Sequence, residues 1–307
     1  MDESSTETRH AGGAQLRANV WSAGVQAMVP VPAEHRRLKA DVTAVQATLR
    51  CGEEEIESLR RCGVVWVERG GVPLFDPVDI YNLGLLSGSG RTVPEVASSY
   101  FAQLANAGCE AWTAPSRTEL VVDRAVASGS ELVGELGCLR FPTRDAEGQQ
   151  SATYMPRQTI GTMVSPRLKS LFDAILAGFS FQLLPDSLKG DGEAIAKLGV
   201  GDCHGLSLVL ANRCLEAGLA ATVERGFIRG RFGWGAHAWV RVEDEDGGPK
   251  VLDPTLPLVA ASQGVDARAF SRFCCGSLVT RVVPQALRLA EGPPVPLSLP
   301  DTTITNL

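Results

Sequence analysis

Apolar residues recur at helical spacing early in the chain. Leu38, Val42, Val45 and Leu49 lie three or four positions apart and predict a helix over 38–49. A second helix is predicted from Glu53 to Arg61, with three glutamates in its first turn, two arginines in its last and Gly63 just beyond. That charge order complements the helix dipole and sharpens both boundaries. Val64 to Val67 and Val72 to Phe75 flank Gly70-Gly71 and predict a hairpin with a glycine turn. Asp76-Pro77 then offers a cap followed by proline at the first helical position, opening a helix through Leu86. Ser87 to Gly90 interrupts, and Thr92 with Glu95 has the spacing of a capping box that starts another helix. Ahead of all this, residues 1–25 carry few large apolar groups and are expected to form a loose tail, with order beginning near Val29 to Ala33.

Periodicity fades between Asp145 and Pro156, where a domain boundary is expected. It resumes at Ser165-Pro166, a cap and first-turn proline ahead of a helix through Leu176. Pro284 to Pro300 is proline-rich and is expected to run extended along the surface. The predicted organisation is therefore a tail (1–25), a mainly helical N-terminal lobe with a small hairpin (26–150), a second domain (151–283) and a C-terminal extension (284–307). Helices around a hairpin fit either a winged-helix-like recognition module or an accessory lobe packed on the second domain.

Composition narrows the function classes. The 307 residues are 44% hydrophobic, as in a globular protein, and carry a formal net charge of −6. With an isoelectric point near 5.4, the chain lacks the excess of Lys and Arg that nucleic acids and anionic membranes attract. No apolar run approaches the roughly 20 residues that span a bilayer, and no secretory signal pattern is evident, so a cytoplasmic protein is expected. The eight cysteines are then expected to be reduced and mostly buried. Their spacing forms no zinc set, and neither a metal nor a cofactor is expected.

The chemistry centres on Gly201-Asp202-Cys203-His204-Gly205, which precedes a helix-favouring run from Leu206 to Leu215 that stops at Gly218. Cys203 is thus predicted at a helix N-terminus, where unpaired N–H groups and the dipole favour a thiolate. Cys214, in the middle of the same helix, is expected to be structural. A base must come from four histidines. His10 lies in the tail and His35 in the other lobe. His204 is adjacent to Cys203, and successive helical residues point about 100° apart, which leaves His237.

His237 lies in Ala236-His237-Ala238-Trp239-Val240-Arg241-Val242, whose alternation predicts a strand. Asp244 to Gly248 makes a turn, and Lys250 to Asp253 returns. A hairpin centred near Glu245 sets Asp253 directly across from His237, whereas a tight turn on Asp246-Gly247 shifts the pairing by about three residues. A carboxylate so placed can accept the Nδ1 proton and leave Nε2 facing the thiol.

Gly201-Asp202-Cys203, Ala236-His237-Ala238-Trp239-Val240 and Leu252-Asp253-Pro254-Thr255 resemble, together and in this order, the three motifs of the transglutaminase-like superfamily of papain-like enzymes. The resemblance covers roughly residues 165–260. It implies an α+β fold in which a helix carrying Cys packs on an antiparallel sheet carrying His and Asp. It further implies Cys203 as nucleophile, His237 as base and Asp253 as its orienter. The backbone N–H of Cys203 and the side chain of Gln182 are candidate oxyanion donors, although a plain surface glutamine is the duller account of Gln182. Trp234 and Trp239 are candidates for walling the acyl site, with core packing the alternative for Trp239.

Such a thiolate attacks an amide, ester or thioester carbonyl and forms an acyl-enzyme. The first expectation is an acyltransferase that passes the acyl group from a peptide amide, or from a thioester on a carrier protein, to an amine, as in specialised-metabolite assembly by some bacterial members. The alternative is a cysteine peptidase, in the form of a leader peptidase whose N-terminal lobe recognises a precursor peptide. The Ala236 to Val240 string also looks like leader peptidases of lasso-peptide pathways, which are shorter than this chain. A third, non-enzymatic reading is a binding protein on a retired fold, against which the intact set of three stands.

Overall fold

The structure is a computed structural model that describes residues 21–107, 111, 114, 116–122, 131–140, 150–156, 163–279, 281–289 and 294–299. Order begins earlier than the composition suggested: residues 21–27 are helical, and Trp21 is fully buried among Val45, Leu49, Phe75 and Leu83. One large aromatic side chain is enough to anchor a segment otherwise poor in apolar groups. Residues 1–20 of the predicted tail lie outside the described residues.

In the N-terminal lobe, α1 (Val42–Leu49) starts four residues later than its apolar spacing predicts. Asp41 caps it by accepting from the Ala44 N–H, while Ala40 pairs with Phe75 as an isolated bridge. Helix α2 spans Glu53–Arg61. Strands β1 (Trp66–Arg69) and β2 (Val72–Phe75) form an antiparallel hairpin. Gly70 and Gly71 both have positive φ, 59° and 78°, as a tight hairpin turn demands. Helix α3 (Pro77–Leu86) is capped by Asp76, whose carboxylate accepts from the N–H groups of Val78 and Asp79. Helix α4 (Val93–Asn106) has the Thr92/Glu95 capping box.

Two sheets follow. The first has the order β13-β14-β3-β6-β5-β4, all neighbours antiparallel. It contains β3 (Thr118–Val122), β4 (Glu131–Val133), β5 (Gly137–Arg140) and β6 (Gln150–Pro156), with β13 (Ala286–Leu287) and β14 (Val295–Ser298) from the C-terminal end. The domain boundary expected between Asp145 and Pro156 therefore falls on a central strand. The expected surface extension likewise supplies strands whose Leu287, Val295 and Leu297 are buried with Leu120, Leu139 and Tyr154. These strands are too short for alternation to register in a single-segment reading. In β14 Val295 and Leu297 are buried and Pro296 between them is exposed.

The remaining elements build the site. They are α5 (Pro166–Gly178), β7 (Ser180–Phe181), α6 (Gly192–Leu198), β8 (Val200–Gly201), α7 (Cys203–Glu216), β9 (Ala221–Gly230), β10 (Gly233–Glu243), β11 (Pro249–Leu252), α8 (Thr255–Ser262), α9 (Ala267–Ser271) and β12 (Val282–Pro284). The second sheet, β11-β10-β9-β12, is antiparallel, and β7 pairs with β8 in parallel. Helix α7 packs on β9 and β10, burying Leu206, Val209, Leu210 and Cys214 at helical spacing. The architecture is mixed α+β with antiparallel sheets. Among the described residues, no helix is long and apolar enough to cross a membrane.

The lobe is fastened to this second unit by buried polar contacts. Asn82 in α3 donates to the Leu183 carbonyl at 3.0 Å and accepts from the Leu183 N–H at 2.7 Å. Helix α4 packs against α8. The N-terminal lobe is thus an integral wall of the molecule.

Candidate active site

Helix α7 begins at Cys203 because Asp202 caps it: the Asp202 carboxylate accepts from the Gly205 N–H at 2.9 Å. The N–H groups of Cys203 and His204 lie in the first turn, ahead of the intrahelical ladder, and favour negative charge there. The Cys203 thiol is half-buried, and its Sγ lies 3.9 Å from the Ala236 carbonyl oxygen. Cys214, three turns along, is fully buried, and burial pushes its thiol up to about 11.

His237 comes from β10 and Asp253 from just past β11; among the described residues the buried His237 Nδ1 has no hydrogen-bond partner, while the Cys203 sulfur is near enough to act on the imidazole charge. The His237 Nε2 donates to Asp253 Oδ2 at 2.7 Å, and both side chains are essentially inaccessible to water. This reverses the expected roles of the ring nitrogens, since Nε2 goes to the carboxylate and Nδ1 is left for Cys203. The register explains the reversal. Val240 pairs with Leu252 and Arg241 with Val251, so the next step along the ladder sets Asp253 beside Trp239, two residues from His237. The turn that fixes this register is centred on Asp246, whose carboxylate accepts from the Gly248 N–H, with Gly247 at φ 73°. The carboxylate therefore approaches the imidazole diagonally.

The electrostatics follow from that geometry. Burial works against a charged His237, but the Asp253 carboxylate outweighs it and, with the Cys203 sulfur adding to the effect, pushes the imidazole up to about 10. Asp253 is held in turn, its Oδ1 accepting from the Thr255 N–H at 3.0 Å. Opposite His237 stands a glycine that its other neighbours require. Gly226 pairs with His237 across β9 and β10, and a Cβ at Gly226 would lie 2.1 Å from the Val283 carbonyl oxygen and 2.7 Å from the Trp239 ring.

Of the other expected site residues, Gln182 lies beside the segment leading to the nucleophile, its N–H donating to the Gly201 carbonyl at 3.2 Å, two residues before Cys203, whereas the two tryptophans pack in the cores. Gln182 is buried, not on the surface, and its Oε1 accepts from the Val29 N–H at 3.2 Å, tying the N-terminal lobe down. It does not line the cavity at Cys203. Trp239 is fully buried in the main core, its ring 6.1 Å from that of His237, and it supports the imidazole from behind. Trp234 packs with the cluster under the six-stranded sheet. Neither tryptophan walls the site. His204 is half-buried and absent from the cavity lining; burial, with Arg225 nearby, holds its imidazole below the usual value.

A cavity of ≈ 540 Å³ opens onto Cys203 and His237. Its far wall comes from the N-terminal lobe, including Tyr81, Ser98 and Phe101, and its near wall from Phe181, Leu184, Leu256 and Val259. His35, set aside as a base, stands at the rim with its Nδ1 3.0 Å from the Ser187 hydroxyl. Lys189 bridges Asp186 at 2.9 Å and the capping Asp202 at 3.5 Å. Asp202 could have been recognised from its position three residues before Gly205. The lobe residues had no local signal, since only long-range packing brings them to the thiol.

Among the described residues, no group of three His, Cys, Asp or Glu side chains is placed to hold a metal ion. No model of a known protein family matches the chain, and a search of curated proteins finds no similar sequence.

Proposed function

We propose that this protein is a cysteine-dependent acyltransferase of transglutaminase-like type, with Cys203 as nucleophile, His237 as base and Asp253 as its orienter. The observation that carries the reading is the buried 2.7 Å contact from His237 Nε2 to Asp253. It holds the ring by Nε2 and leaves Nδ1 without a partner among the described residues, with the half-buried thiol at the start of α7 near enough to act on the imidazole charge. The helix Cys203–Glu216 packed on β9 and β10 is also what a papain-like core requires.

In the proposed reaction His237 holds the Cys203 proton as an imidazolium, and the thiolate attacks the carbonyl carbon of a thioester donor. The new C–S bond forms first, giving a tetrahedral oxyanion; its collapse breaks the donor's C–S bond, and the departing thiolate takes the proton from Nδ1. An amine then attacks the acyl-enzyme and gives its proton to His237; amide forms, and the Cys203 sulfur is released. First-turn N–H groups of α7 are the natural stabilisers of the transient oxyanion. The cavity of ≈ 540 Å³ beside the thiol offers room for an acyl group on the Cys203 sulfur.

The test is intact-protein mass spectrometry with acyl thioesters of N-acetylcysteamine. One acyl group should be added to wild-type protein and none to Cys203→Ala, and a primary amine should discharge it as an amide. Cleavage of a peptide partner with no amine requirement would sink the transferase in favour of the peptidase, and full activity in Cys203→Ala would remove the site altogether.

A further inference from the structure

The cavity has a graded lining. Deep in it, Phe101, Phe181, Leu184, Leu256 and Val259 are each no more than 5% exposed, while Arg37, Lys39 and Asp186 at the rim are exposed. Of the carboxylates that line it, Asp76 is occupied in capping α3 and Asp202 in capping α7, and Asp186 pairs with Lys189. The interior is therefore apolar and offers no uncompensated charge. Three hydroxyls interrupt it: Tyr81 in α3 and Ser98 in α4 from the N-terminal lobe, and Thr255 at the start of α8, whose Oγ1 is buried without a partner among the described residues. Among the described residues the Tyr81 and Ser98 side chains have no hydrogen-bond partner either, and burial alone holds the Tyr81 phenol above its usual range.

An acyl group bonded to Cys203 Sγ must lie in the volume that touches that sulfur, whereas the leaving group and the acceptor pass through the rim. A chamber of ≈ 540 Å³ falls within the range of about 300–1,000 Å³ typical of sites that enclose drug-sized molecules. It greatly exceeds the needs of an acetyl group. A hydroxyl facing an apolar chamber without a partner gains most from a ligand that brings a hydrogen-bond acceptor to it.

Resting on the acyl-transfer reading above, we infer that the N-terminal lobe is the specificity wall of the enzyme and selects a bulky, uncharged, apolar acyl group bearing a hydrogen-bond acceptor that Tyr81 reads. The lobe is then not a separate peptide-recognition module. Its attachment through Asn82 to Leu183, beside Leu184 in the near wall, holds the two halves of the chamber in register. Ala97 is half-buried in the lobe face of the chamber, so a larger side chain there takes up acyl space without touching Cys203, His237 or Asp253.

Binding is tested apart from chemistry, with full-length Cys203→Ala protein and unreactive amide analogues of the N-acetylcysteamine thioesters, titrated by calorimetry. The octanoyl amide is expected to bind at least about tenfold more tightly than the acetyl and succinyl amides, and the 3-oxo-octanoyl amide more tightly again. Adding Ala97→Phe should abolish the preference for octanoyl over acetyl. Adding Tyr81→Phe, a milder change, should erase the 3-oxo advantage and leave octanoyl binding intact. The inference is overturned if acetyl or succinyl binds as well as octanoyl, if no amide binds, or if both folded variants keep the wild-type order. If the amides bind as expected but matching thioesters never acylate the wild-type Cys203, the acyl-transfer reading fails while the chamber assignment stands. Acylation that ignores chain length and both variants retains the reaction and refutes the chamber.

Discussion

Replacing Asp253 by Asn keeps an oxygen beside His237 Nε2 and removes the charge that sustains the imidazolium. The carboxylate lies 2.7 Å from Nε2, and both side chains are at most 1% exposed, so solvent screens little of the interaction. The imidazole is raised from 6.5 to about 10. At about 1.36 kcal/mol per pH decade, that elevation corresponds to roughly 5 kcal/mol of linkage. For a histidine raised in the folded state, this stability is fully present below the unfolded value of 6.5 and is lost as pH rises through about 10. At pH 7 about 4 kcal/mol of it remains, a ceiling because Asn retains the hydrogen-bond acceptor. Without the charge, burial dominates and His237 should be neutral at pH 7. The assay is an NMR pH titration of protein labelled at its four histidines, with urea unfolding at pH 6, 8 and 10. Wild-type His237 should stay protonated through pH 9, and Asp253→Asn should lose it by pH 7. The stability gap between the two proteins should narrow as pH approaches 10. A wild-type His237 that titrates near 6.5, or an Asn variant with an unchanged titration, would refute the account of the pair.

Three further outcomes are expected. Asp202→Ala removes the cap on Gly205 and the Lys189 ion pair; it should cost about 1 kcal/mol and slow alkylation of Cys203 by iodoacetamide several-fold, while Asp202→Asn largely restores both. Asn82→Ala leaves the Leu183 N–H and carbonyl without partners and should cost roughly 2–6 kcal/mol in denaturant unfolding, from about 1–3 for each of the two part-buried groups; a loss below about 1 would show that the lobe is held by packing alone. Gly226→Ala forces its Cβ against the Val283 carbonyl and the Trp239 ring and should destabilise by about 3 kcal/mol or more, whereas Gly178→Ala, with nothing within 4 Å, should leave the melting temperature nearly unchanged.

Local chemistry was legible wherever a short segment carries its own instruction. The cap at Asp76 with Pro77, the capping box at Thr92 and Glu95, the charge order of Glu53–Arg61 and the paired glycines at 70 and 71 all act within one turn of chain, and the structure places those helices and the glycine turn where the pattern does, with the first hairpin strand at Trp66–Arg69, two residues later than Val64 to Val67. The six-stranded sheet was not legible. Its strands come from residues 118–156 and 286–298, and none buries enough by itself to mark its period.

The same division runs through the candidate site. Sequence by itself determined which residue types are available: one cysteine at a helix start, one histidine on a strand, one aspartate before a proline. It did not determine their orientation, because a two-residue difference in hairpin register moves Asp253 from across His237 to across Trp239 and turns the ring so that Nδ1, not Nε2, is left for the thiol. Nor did it reveal the chamber or place Trp234 and Trp239 in the cores. Those outcomes depend on contacts between segments distant along the chain, such as Asn82 with Leu183 and Val29 with Gln182. Such contacts form only when burial of the two cores brings their surfaces together, so they leave no local periodicity to read.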